Sequence, residues 1–187
     1  MNDAPSSFLP CELPTDVQFQ RALEWCARRL RAELNDVMGL LRQGDPGVHS
    51  TLRYALAKEL AEYLGRIGAP FCAVYVYGSL MNDSAGPASD IDLIVVVERI
   101  RDEVQRLVRW VDLSLSAAYR DMIGDAAPSS LLDAHLVDTD QEREGRGYGA
   151  VLSDHRAAPI CLWRSTPEVR GPSQEGPLRS LTPGRRG

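Results

Sequence analysis

The 187 residues include 44% hydrophobic and 25% charged side chains, a composition that supports one buried core with, at most, a small appended subdomain. Twenty-one basic against twenty-six acidic residues give a formal net charge of -5, which argues against a domain built mainly to grip a long phosphate backbone. Extended nucleic acid is therefore not an expected partner. No apolar run approaches the roughly 20 residues that span a bilayer, and Met1–Pro14 lacks the basic and apolar regions of a signal peptide, so the chain reads as cytoplasmic. Cys11, Cys26, Cys72 and Cys161 form no CxxC pair, which favours buried free thiols over a zinc site. Lys58 is the single lysine beside twenty arginines and follows no glycine loop, which excludes a Walker-type phosphate site.

In chain order, residues 1–14 hold three prolines without periodicity and read as a flexible arm. Thr15 and Gln18 have capping-box spacing, and Leu23, Cys26, Leu30, Leu34, Val37 and Leu41 continue one helical period to the turn Gly44–Gly47. A second helix is expected from about Ser50 to Ile67, closed by Gly68 and Pro70. Phe71–Tyr77 and Ile91–Val97 are short, apolar and β-branched or aromatic, as strands covered on both faces are. Between Ile100 and Met122 the apolar spacing is helical, Leu131–Val137 alternates as a third strand, and Asp138–Gly149 reads as a loop. Pro159–Trp163 is a last strand whose proline suits its first position or a sheet edge. Residues 165–187 hold four prolines, four glycines and four arginines and read as a disordered tail. The expected fold is thus α/β: a small, twisted, mixed sheet flanked by helices, two of them N-terminal. It forms a single domain over residues 15–164, with helices at 15–68 and the sheet core at 69–164.

The chemistry concentrates between Val74 and Val97. Gly78-Ser79 ends one strand, and Asp90 and Asp92, one residue apart, point to one side of the next. Paired carboxylates in an apolar strand repel each other unless a cation lies between them, and oxygen-only ligands suit Mg²⁺ or Mn²⁺. Gly78 permits close backbone approach, and Ser79 with the amides after it can cradle phosphate oxygens, the more so if Leu80–Asp83 opens a short helix.

The pattern G-S-x10-D-x-D, extended by Ser89-Asp90-Ile91-Asp92-Leu93 and the apolar strands around it, resembles the nucleotidyltransferase superfamily of DNA polymerase beta. The ten-residue spacer and short chain look most like the minimal nucleotidyltransferases, among them antitoxin enzymes acting on HEPN-domain toxins and small antibiotic-modifying enzymes. The resemblance implies a third carboxylate from a later strand, with Asp133 favoured over Asp112. It also implies two metal ions held by Asp90, Asp92 and Asp133, and nucleotide contacts from Gly78, Ser79 and Ser89. The reaction implied moves a nucleoside monophosphate, AMP from ATP, onto a hydroxyl of a protein or small molecule with release of pyrophosphate. Asp133 would activate that hydroxyl. His135 shares a strand face with Asp133 and is a possible substrate contact, whereas His49 and His155 read as solvated loop residues. The loop arginine that many relatives carry is replaced by Leu80 and Met81, leaving Arg53, Arg143, Arg146 and Arg156 as substitutes to consider. The alternatives are a nucleotide- or partner-binding module that keeps the fold without turnover, and an antitoxin acting on a HEPN-type toxin.

Overall fold

The computed structural model of the chain describes residues 16–166, apart from 69, 79, 81–82, 125–126 and 154–157. The N-terminal arm, the tail beyond residue 166, Cys11, Ser79 and His155 lie outside the described residues. Three helices, α1 (Asp16–Leu30), α2 (Leu34–Gln43) and α3 (Pro46–Ile67), precede β1 (Phe71–Val76) and β2 (Ile91–Val97). The long helix α4 (Asp102–Ile123) leads to β3 (Leu132–Asp138), then the short α5 (Thr139–Glu144) and α6 (Gly149–Leu152), and finally β4 (Ile160–Arg164). The sheet has the order β3-β2-β1-β4, with β2 and β3 parallel and the other two pairings antiparallel. It is the mixed sheet flanked by helices that the sequence predicts.

The expected pair of N-terminal helices is in fact three. The first periodic run breaks at Arg31, whose φ of 54° is left-handed. There the Ala32 N–H donates to Ala27 O at 3.1 Å and the Arg31 N–H to Arg28 O at 3.3 Å, the closing pattern of a helix C-terminus, here with arginine where glycine is usual. The third helix starts four residues earlier than the apolar spacing suggests. Asp45 caps it by accepting from the Val48 N–H at 2.9 Å, and Pro46 occupies the first turn, where its missing N–H costs nothing. Likewise Asp138–Gly149 is not a plain loop, because Asp138 and Gln141 form a reciprocal capping box that starts α5.

The main core lies between the sheet and α1–α4, where Leu52, Leu56, Leu60 and Leu64 of α3 meet Val74, Val76, Leu93 and Val95. The opposite face of the sheet carries a smaller cluster of Ala73, Ile94, Val96 and Val137, with Val151 and Leu152 of α6 against it. Gly65 leaves room on α3 for Trp163 of β4; a Cβ there would lie 2.6 Å from the indole nitrogen. Among the described cysteines only Cys26 is fully buried, whereas Cys161 is exposed, which corrects the expectation of buried thiols throughout. Among the described residues no helix is long and apolar enough to cross a membrane.

Two polar side chains of α3 sit wholly inside this core. His49 is not a solvated loop residue but 0% exposed. Its Nε2 lies 2.9 Å from the Leu41 carbonyl and must donate there, which leaves Nδ1 to accept from the Tyr119 hydroxyl at 2.6 Å. Arg53, also 0% exposed, donates from Nε and Nη2 to Ser89 O at 3.1 and 2.8 Å and from Nη2 to Pro87 O at 3.0 Å. Its guanidinium carbon stands 5.0 Å over the Tyr119 ring. Ser50, one turn earlier, accepts from the Ala85 N–H at 3.1 Å. Helix α3 therefore ties down the connection between β1 and β2 at three backbone positions.

Two outcomes follow. Arg53→Met leaves the half-buried Pro87 and Ser89 carbonyls without these donors and should lower unfolding free energy by about 2–4 kcal/mol, read by urea denaturation; Arg53→Lys, lacking the planar fork, should not restore it. Burial and the neighbouring Arg53 charge hold the His49 pKa below its usual value. The unfolded chain then binds the proton more readily, so stability is present above the unfolded histidine pKa and is lost as pH falls through it. Denaturation between about pH 7 and pH 5 should show a decline that flattens in His49→Gln.

Candidate functional site

The β1–β2 connection ends at Asp90, one residue before β2, and the second pair of that strand brings Asp92 opposite Asp133 of β3. The parallel register sets Ile91 against Leu132 and Ile94 against His135. Alternation along both strands places Asp92 in step with Ile94 and Val96, and Asp133 in step with His135 and Val137, on the face of the smaller core. One carboxylate oxygen each from Asp90, Asp92 and Asp133 lies within 4.8 Å of the others. Of the sequence-predicted residues, these three are thus brought together.

Gly78 completes the floor. Its φ is +76°, and a Cβ would fall onto the Asp92 carboxylate, 2.7 Å from Cγ. Only glycine permits both the backbone angle and this approach. The Tyr77 N–H donates to Asp92 O at 3.2 Å, which fixes the strand end beside the carboxylate. Burial, then the nearby carboxylates of Asp92, Asp133 and Asp90, push the Tyr77 phenol above its usual pKa. It stays a neutral O–H at physiological pH. Ser89 serves the loop itself: its hydroxyl accepts from the Gly86 N–H at 2.9 Å while its carbonyl takes the Arg53 guanidinium.

Asp112, the runner-up for third carboxylate, is built into the fold elsewhere. Its oxygens accept from the Leu131 and Leu132 N–H groups, both at 2.9 Å, and from the hydroxyls of Ser116 at 3.0 Å and Ser130 at 2.8 Å. His135 Nε2 stands 3.3 Å from Asp133 Oδ2, and the imidazole is stacked under Tyr148 with centroids 3.5 Å and planes 12° apart. The glycines of the α5–α6 turn, Gly145 and Gly147, take left-handed φ values of 62° and 55° and swing Tyr148 onto His135. The sequence marks this segment only as a loop, and no local pattern in it encodes the stacking.

Three of the four substitute arginines are otherwise engaged. Arg53 faces inward onto backbone carbonyls, Arg143 pairs with Asp140 at 2.7 Å, and Arg146 pairs with Glu144 at 2.5 Å. Arg156, Ser79 and Met81 lie outside the described residues. With oxygen-only donors converging from two strands, the three aspartates could hold a hard divalent cation, the arrangement expected where like charges must share a site.

A comparison with curated proteins gave no match, and neither did one with solved structures. The model of the nucleotidyltransferase domain matches residues 57–170, from the middle of α3 through β4. The match contains Gly78, the three aspartates and every strand; α1, α2, His49 and Arg53 precede it. A nucleoside triphosphate is accordingly the substrate class, and the chain belongs to the nucleotidyltransferase domain family.

Proposed function

We propose that this nucleotidyltransferase uses Mg²⁺ to move AMP from ATP onto a hydroxyl of a protein or small molecule, releasing pyrophosphate. The observation that carries the reading is the meeting of Asp90, Asp92 and Asp133 within 4.8 Å beside a glycine that only a bare backbone can satisfy. Asp90 and Asp92 hold the metal, shared with Asp133. When bound, the divalent ion supplies charge neutralisation for the triphosphate and polarises its α-phosphate. Gly78, with Ser79 and the amides after it, lets the triphosphate approach the strand end. Asp133 takes the proton of the acceptor hydroxyl as the oxygen bonds to the α-phosphorus, and the bond from phosphorus to the bridging oxygen of the leaving pyrophosphate breaks. His135, 3.3 Å from Oδ2, orients the Asp133 carboxylate. Tyr77 supplies a neutral donor at the edge of the site.

The test is incubation of the intact protein and of Asp90→Ala/Asp92→Ala with α-labelled ATP, with Mg²⁺ or with chelator, alone and with host lysate. Label should reach an acceptor only with intact protein and metal, and the double variant should lose about 10²-fold or more of the transfer. Metal-independent labelling, or labelling retained by the variant, would overturn the reading. Gly78→Ala should displace the Asp92 carboxylate and destabilise the left-handed turn by roughly 1–2 kcal/mol. Calorimetry should show that variant's Mg²⁺-ATP affinity falling about tenfold or more while its circular dichroism is unchanged.

A further inference from the structure

Among the described residues β3 is an edge strand, and its outer side is blocked at both ends but open in the middle. The Ile91 N–H donates to Leu131 O at 2.8 Å, and the parallel register then turns the backbone of Asp133, His135 and Val137 toward β2 and that of Leu132, Ala134, Leu136 and Asp138 outward. The outward groups at the ends are taken. The Leu132 N–H donates to Asp112 and its carbonyl accepts from the Ser130 hydroxyl at 3.0 Å, while the Asp138 N–H donates to Gln141 Oε1 at 3.1 Å. Among the described residues nothing pairs with the outward N–H and C=O groups of Ala134 and Leu136. They line a groove of about 410 Å³ that has Ile100, just before α4, Val108 of α4 and the stacked His135 and Tyr148 among its other walls.

We propose that this gap is the docking edge for the acceptor, which is an extended, acidic peptide segment added to the sheet beside β3. The inference rests on the transfer reading above and names its acceptor. Proteins ordinarily cover or interrupt an open edge, and here the interruption stops at the residues that border the groove. Only another extended chain presents N–H and C=O groups at the spacing that Ala134 and Leu136 require. A strand added there lies about 4.8 Å from β3, so a serine, threonine or tyrosine on the face of Asp133 and His135 carries its hydroxyl to the Asp133 carboxylate. Charge selects among peptides: Arg109 borders the groove, Arg99 and Arg101 flank Ile100, and none of the three makes an ion pair among the described residues.

The probe is a set of fluorescent peptides of about ten residues, alternating valine with serine, threonine or tyrosine and flanked by glutamates. A matched set carries N-methyl groups on alternate backbone nitrogens. Fluorescence polarisation should show binding that weakens about tenfold or more on N-methylation, in Ala134→Pro, which deletes one outward N–H at a position where an edge strand tolerates proline, and in Arg109→Glu. Circular dichroism confirms the sheet in each variant, and if Ala134→Pro fails to fold, Arg109→Glu and the N-methylated set carry the test. Equal binding of both peptide sets, or no binding up to about millimolar concentration, overturns the proposal. So does concentration-dependent self-association that Ala134→Pro abolishes and the peptides fail to compete with, since that makes a second copy the occupant. Binding is read without transfer, so edge-specific binding with no label moved onto the peptide upholds the docking and tells against the transfer reading.

Discussion

The site depends first on a buried arginine whose hydrogen bonds run to backbone carbonyls. Arg53 reaches from the middle of α3 to the Pro87 and Ser89 carbonyls, and Ser50 takes the Ala85 N–H. Those contacts fix the residues just before Asp90. A loop of this length between two antiparallel strands would otherwise sample many conformations, and Asp90 would not stand against Asp92 and Asp133 with any persistence. A charge wholly removed from water is costly unless its hydrogen bonds are met and geometry is good. The two carbonyls and the Tyr119 face supply part of that compensation, while Nη1 is buried without a hydrogen-bond partner among the described residues. The N-terminal helices are thus more than a cover for the sheet: they carry the anchor that makes three repelling carboxylates a site.

Gly78 imposes the complementary restriction from below. Its missing side chain lets the end of β1 press against the Asp92 carboxylate, so the glycine is dictated by the aspartate as much as by the turn. On the same face of the sheet Tyr77 and Tyr148 pack around His135, which stands beside Asp133.

Much of this was legible in the sequence because it is local. The β-branched runs of β1 and β2, the period of α4 and the alternation around Asp133 each announce themselves within a dozen residues. What stayed hidden is long-range or breaks a rule of thumb. Arg53 shares a helix with leucines, and its partners are 34 and 36 residues away, so nothing nearby marks it as interior. His49 follows a turn motif and reads as loop, although Asp45 and Pro46 already encode a helix start. Arg31 ends α1 in a conformation that glycine usually supplies, so the periodic pattern runs through the break without a signal. The stacking of Tyr148 on His135 requires α5, whose capping box is present in the sequence but frames only six residues.

Asp112 shows how a side chain remote from the chemistry can set a site's alignment. Its two oxygens gather four donors at the place where α4 hands the chain to β3, two of them the N–H groups of Leu131 and Leu132. A strand has a repeat of two, so sliding β3 along β2 by a single residue would exchange its faces, turning Asp133 into the main core and Ala134 toward Asp92. The parallel pairing has no tight hairpin to prevent this, since β2 and β3 are joined through the whole of α4. Asp112 serves in place of the hairpin as the zero mark of a ruler, counting the residues of β3 from a fixed point on the helix so that the third carboxylate arrives at the right tooth.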